Sequence, residues 1–133
     1  MKKIKFSDLI IFENDNYIVV NKPPLLSTLD DRASNTNLLL LARGYAEDAQ
    51  ACHRLDKETS GVLVIAKNAE AYRHMALQFE HRTVGKIYHA VVDGIHDIEP
   101  ISISAPIFAL KKGKVAISFQ QGKPSETLVR TSK

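Results

Sequence analysis

The sequence predicts an α+β fold: a largely antiparallel, mixed β-sheet with flanking helices. Three observations carry it. Two apolar, β-branched runs separated by polar turn formers open the chain. Two stretches with apolar residues at helical spacing follow, and short apolar runs punctuated by Gly and Pro fill the last third.

Leu9-Ile10-Ile11-Phe12 and Tyr17-Ile18-Val19-Val20 flank Glu13-Asn14-Asp15-Asn16, the pattern of a β-hairpin. Asn21-Lys22-Pro23-Pro24 ends its second strand, since proline cannot donate to a ladder. Residues 25–34 read as an irregular loop around Asp30-Asp31-Arg32. A helix is expected from about Asn35 to Asp48, with Leu38, Leu41, Ala42 and Tyr45 on one stripe and Asn35 or Thr36 as N-cap. Gly44 weakens its far end by about 1 kcal/mol relative to alanine.

Val62–Ala66 reads as a buried strand, and Asn68 as the cap of a second helix with Tyr72, Met75, Ala76 and Phe79 at core spacing. His81-Arg82 suit the negative end of that helix. From Lys86 the period changes to two through Val92, predicting a strand that Asp93-Gly94 closes. Ile101–Leu110 and Val115–Phe119 flank the turn Lys111-Lys112-Gly113-Lys114, and Thr127-Leu128-Val129 is a last strand. The sequence stops at Arg130-Thr131-Ser132-Lys133, inside or just after a strand, so the expectation is a single domain over 1–133 that is incomplete at its C-terminus.

The 133 residues have the size of one domain with a real core. A net charge of +3 suits a polyanionic partner, but so small an excess is common in proteins that never meet nucleic acid. Cys52 is the only cysteine, which rules out an intramolecular disulfide and points to a reducing compartment and a small buried side chain. No apolar run approaches a membrane span, and the basic start Met1–Phe6 leads to Ser7-Asp8 rather than a signal-peptide core. A cytoplasmic protein with no membrane partner is expected.

The chemistry concentrates in His53-Arg54-Leu55-Asp56-Lys57-Glu58-Thr59-Ser60-Gly61, a polar loop fixed to the apolar strand that follows. If extended, it points Arg54 and Asp56 the same way. An aspartate beside a cation stays ionised at neutral pH, as a nucleophile or general base requires. The bland alternative is that Asp56 caps a turn completed by Thr59, Ser60 and Gly61, and the residues by themselves favour it. His53 with Asp56 makes a poor metal site, because no second cluster has ligand spacing. No Gly-rich phosphate loop or dinucleotide fingerprint is present.

The nine residues resemble, at every fixed position, the H-R-L-D-x-x-T-S-G signature of the RluA-type RNA pseudouridine synthases. Asn21-Lys22-Pro23 resembles that family's N-K-P segment, and Lys86–Gly94 its K-x-Y-x-A-x-V-x-G segment. The resemblance runs from about Ile10 to Val129 and implies a pseudouridine synthase-like fold. It implies that Asp56 is the essential aspartate, attacking the sugar C1′ or the base or assisting a glycal route. Arg54 matches an arginine that supports the extruded nucleotide, and Tyr88 a tyrosine that packs against the target base and helps move a proton. The implied partner is ribosomal or transfer RNA, not DNA, and no metal or organic cofactor takes part. Lys111, Lys112, Lys114 and Lys123 are candidate phosphate contacts, though such turns are usually only solvated.

Departures accompany the match. Pro24-Leu25 stand where the family commonly has a small residue and glycine, and Ser125 replaces an alanine in a G-K-x-A-x-T segment. The L-x-T-G-R-x-H-Q-I-R type segment, source of a basic partner for the aspartate, is absent from these residues, as is an N-terminal S4 domain. The 133 residues alone are therefore expected to show little or no activity. The rival from another class is a non-catalytic RNA-binding or structural remnant of the same fold; a metal-dependent hydrolase using His53 and Asp56 is a distant third.

Overall fold

A computed structural model describes residues 3–132. The chain forms two compact units, Met1–Ile87 and Tyr88–Lys133. Every strand pairing among the described residues is antiparallel.

The first unit is built on four strands: β1 (Ile10–Glu13), β2 (Tyr17–Lys22), β3 (Gln50–Ala51) and β4 (Gly61–Ala66), in the order β1-β2-β4-β3. The opening hairpin is as expected. The Asn14 side chain accepts hydrogen bonds from the Asn16 and Tyr17 amides at 2.9 and 2.8 Å, the local bonding that makes Asn a turn former. β4 pairs with β2 along its whole length, from Tyr17 opposite Ala66 to Lys22 opposite Gly61.

Alternation divides β4 between two cores, which is why its sequence is apolar without a break. Leu63 and Ile65 join Ile18, Val20, Leu26 and Leu55 beneath helix α1 (Leu38–Tyr45), whose Leu38 and Ala42 are fully buried. Ala66 packs with Cys52 and with Ala71 of helix α2 (Ala69–Glu80), where Val64, Met75 and Phe79 join.

Asn68 caps α2 as expected, accepting from the Ala71 amide at 2.8 Å. The stripe is rotated, however: Ala71, Met75 and Phe79 face inward while Tyr72 is exposed. Helix α1 is shorter than expected. Its N-cap is Asn37, which accepts from the Leu40 amide at 2.9 Å, and not Asn35 or Thr36. Ser34 ties Thr36 into a preceding local turn, so helical geometry starts later. It ends at Tyr45, one residue past the weak Gly44.

In the second unit, β5 (Ile101–Ser104) pairs with β8 (Glu126–Val129) and β6 (Ile107–Ala109) with β7 (Val115–Ile117). The run Ile101–Leu110 splits at Ala105-Pro106, where the ring removes a ladder donor. Gly122 is required by close approach, since a Cβ would collide with the Ser118 carbonyl and the Pro106 backbone. The strand expected over 86–92 is not formed. Alternation makes a segment competent to pair, but a strand exists only with a ladder partner, and none of the described residues supplies one.

Candidate active site

The loop between β3 and β4 carries His53–Ser60, and its backbone is fixed at both ends. At the entry, the Cys52 amide donates to the Val64 carbonyl at 3.1 Å. The Val64 amide donates in return to Nε2 of His53 at 3.0 Å, so an imidazole stands in for a strand carbonyl. The ring stacks on Phe79 with centroids 4.5 Å apart. Burial, and secondarily the positive charge of Lys86, pushes the His53 pKa down and favours the neutral acceptor form. His53 is thus a structural acceptor. Among the described residues no group of three or more His, Cys, Asp or Glu side chains is arranged to hold a metal.

At the exit, Gly61 has φ +133°, a conformation that side chains rarely adopt, and it lies opposite Lys22. Between these points exposure alternates: Arg54 is exposed, Leu55 buried, Asp56 exposed. The buried Leu55 anchors the loop and leaves its two charged neighbours in solvent, as the two-residue spacing implied. The Asp56 carbonyl accepts from the Thr59 amide at 3.0 Å, so the residue does close a turn. That turn uses only its backbone. Among the described residues the carboxylate accepts no hydrogen bond and remains available for chemistry.

The underside of the loop rests on residues 22–31. Lys22 continues the inward parity of Ile18 and Val20 and is wholly buried. Its ammonium donates to the carbonyls of Pro23 at 3.0 Å, Leu26 at 2.6 Å and Lys57 at 3.2 Å, which satisfies all three protons. Burial lowers its pKa, against the opposing pull of the Glu58 and Asp56 carboxylates. A buried ammonium therefore sits under the loop, within reach of the charges of Glu58 and Asp56. The Leu25 amide also donates to the Lys57 carbonyl, at 2.7 Å.

Leu25 itself has φ 67° and is 72% exposed. The turn thus keeps a left-handed position where the resembled segment has glycine, and an exposed leucine bears a strain of about 1 kcal/mol. Further along, Thr28 Oγ1 donates to the Leu55 carbonyl at 2.9 Å and accepts from the Leu55 amide at 3.2 Å. Asp31 takes the Lys57 ammonium at 2.6 Å, the Ser27 hydroxyl at 3.1 Å and the Ala33 amide at 3.1 Å. Those donors, the Lys57 ammonium first, hold its carboxyl down at about 2.

Thr28 and Asp31 lie outside the motif segments, Lys57 fills an unspecified position of the central motif, and Lys22, inside Asn21-Lys22-Pro23, has no role assigned by the resemblance. The burial of Lys22 was signalled by its period-2 place after Ile18 and Val20; bonds between residues 26 or 27 apart in the chain have no sequence periodicity. Cys52 is buried as expected, and burial pushes its thiol up to about 11. Arg54 and Asp56 share one loop of the first unit, while Tyr88 opens the second unit in an exposed stretch without strand pairing. Lys111, Lys112 and Lys114 occupy the exposed tip of the β6–β7 hairpin, and Lys123 bonds to Ile107 beside it.

An α+β scaffold that presents an exposed Arg and Asp on a braced H-R-L-D-K-E-T-S-G loop defines a class, and comparison with known proteins agrees. The chain belongs to the RNA pseudouridylate synthase family, whose model matches residues 16–133. Its RluA-type character is borne out by its relatives. It is 31% identical over 132 residues to ribosomal large subunit pseudouridine synthase C of Vibrio cholerae, covering 97% of this chain and 42% of the relative. It is 36% identical over 128 residues to the dual-specificity RNA pseudouridine synthase RluA of Vibrio parahaemolyticus, covering 93% and 51%. The solved structure of human RNA pseudouridylate synthase domain containing 1 matches in fold, with a TM-score of 0.60 at 22% identity over 96% of this chain and 53% of that one. The chain thus spans about half the length of the relatives it matches, or less.

Proposed function

We propose that this chain is the aspartate-bearing part of an RNA pseudouridine synthase catalytic domain, acting on uridine in ribosomal or transfer RNA with Asp56 as the essential group. The observation that carries the reading is the exposed, unbonded carboxylate on a loop whose backbone is braced on both sides of it. A group meant only to cap the turn would spend its side chain there.

The reaction breaks the N1–C1′ bond, turns the uracil and forms a C5–C1′ bond. C5 gives up its proton and N1, freed from C1′, takes one up, so the isomerisation balances without a co-reactant. Asp56 attacks C1′ or the base, or assists a glycal route. Arg54, two residues before it on the same exposed side, supports the RNA where the nucleotide has left the stack, which offsets part of an unstacking cost of a few kcal/mol. Tyr88 packs against the target base and helps move the proton; aromatic stacking on an unstacked base is the usual physics of RNA recognition.

The 133 residues by themselves should turn over little, because the basic partner that the resemblance pairs with the aspartate is not among them. The test is an assay of pseudouridine formation in ribosomal and transfer RNA transcripts, with the protein expressed from its full reading frame. Product is expected. RNA binding without product would instead support a non-catalytic remnant of the fold.

A further inference from the structure

The residues on either side of Asp56 are gripped by one short segment, and the grip is unusually complete. On one side, the buried Leu55 has both backbone polar groups bonded to a single hydroxyl, that of Thr28, at 2.9 and 3.2 Å. Thr28 is itself only 3% exposed, so neither bond competes with bulk water. On the other side, Lys57 is held at both ends. Its carbonyl takes the Leu25 amide at 2.7 Å and the Lys22 ammonium at 3.2 Å, and its side chain ends on Asp31 at 2.6 Å. Asp31 is fixed in turn by Ser27 and by the Ala33 amide. Without that pairing, the half-buried Lys57 beside the reactive carboxylate would be free to swing towards it or towards a phosphate.

We propose that Thr28 and Asp31 are positioning residues for Asp56, acting through Leu55 and Lys57 as a clasp that sets where the carboxylate stands and keeps the Lys57 charge away from it. The proposal rests on the reading of Asp56 as the essential group. Neither residue touches substrate: both act from beneath the loop. Because the clasp fixes geometry and not affinity, its loss should be felt in turnover. A misplacement of about 1 Å costs up to roughly 100-fold in rate.

The test uses the protein expressed from its full reading frame, with Thr28→Val, Asp31→Asn and their combination, and Thr28→Ser as the conservative variant. The double variant is expected to lose roughly 10- to 100-fold in kcat with KM for RNA within about 2-fold of wild type. Thr28→Ser, which keeps the hydroxyl, should stay near the wild-type rate. Amide exchange at Leu55 and Thr59 should quicken in the double variant while Leu63 and Ile65 keep their protection. Full kcat in the double variant overturns the clasp. So does a loss of rate matched by an equal loss of protection at Leu63 and Ile65, since that is general destabilisation. An Asp56→Asn control separates the two levels. If it retains turnover, the reading of Asp56 fails; if it is dead while the double variant turns over normally, only the clasp fails.

Discussion

The two units of the chain obey different physics. In the first, fully buried Ile18, Val20, Leu38, Leu63 and Ile65 form a core on one face of the sheet, and Cys52, Ala66 and Ala71 a smaller one on the other. In the second, no described residue from Tyr88 to Ser132 is buried, and β5–β8 and β6–β7 are two-stranded ladders. Two-stranded ladders without a buried face are marginal in water. The loop to which the proposed function assigns the reactive group needs the first kind of structure, which can hold a side chain to a fraction of an ångström. The H-R-L-D-K-E-T-S-G loop is found there, between β3 and β4.

The contrast can be broken most strongly through Lys22. Lys22→Met leaves the carbonyls of Pro23 and Leu26 without the ammonium donor and that of Lys57 with the Leu25 amide alone. The first unit should lose about 2–3 kcal/mol in urea unfolding followed by a probe in β2 or β4, with no change in the second. Native-state amide exchange sharpens the same comparison. Amides of the β2–β4 ladder should exchange orders of magnitude more slowly than those of β5–β8, because opening the latter exposes no core. Leu25→Gly gives the smallest effect and the opposite sign. Relief of the left-handed leucine should stabilise the first unit by about 0.5–1 kcal/mol in the same urea measurement.

Acid should also act on the first unit. His53 has its pKa lowered in the folded state, so the unfolded chain takes up the proton first. Its contribution to stability is present above the ordinary histidine value of about 6.5 and lost as pH falls from there through the lowered folded value. A thermal melt should decline over that window, and the decline should be shallower in His53→Gln. Asp31 titrates separately and lower: its share is present above 3.8 and lost as pH falls towards about 2.

What could be read from the sequence follows the same division. The hairpin and β4 were legible because local turn chemistry and periodicity agree with the tertiary structure there, and α2 through its Asn68 cap, although its buried stripe is rotated onto Ala71, Met75 and Phe79. The loop was legible through its motif, which marked Arg54 and Asp56. The bracing beneath it was not. Thr28 and Asp31 lie in an irregular stretch, and their partners are fixed only once β2 and β4 have paired. Lys22 stands within Asn21-Lys22-Pro23, but that run reads as the end of a strand, and the lysine's inward-facing place shows only in its parity with Ile18 and Val20. The stretch 86–92 misled in the other direction, since alternation was present and a pairing partner was not.

Turnover and RNA binding by Asp56→Asn, measured side by side in the protein expressed from its full reading frame, test the central claim most directly. The substitution keeps the size of a side chain that makes no hydrogen bond among the described residues, so fold and RNA affinity should persist. Pseudouridine formation should disappear. Near-normal turnover by this variant would contradict the assignment of Asp56, and with it the role given to the loop.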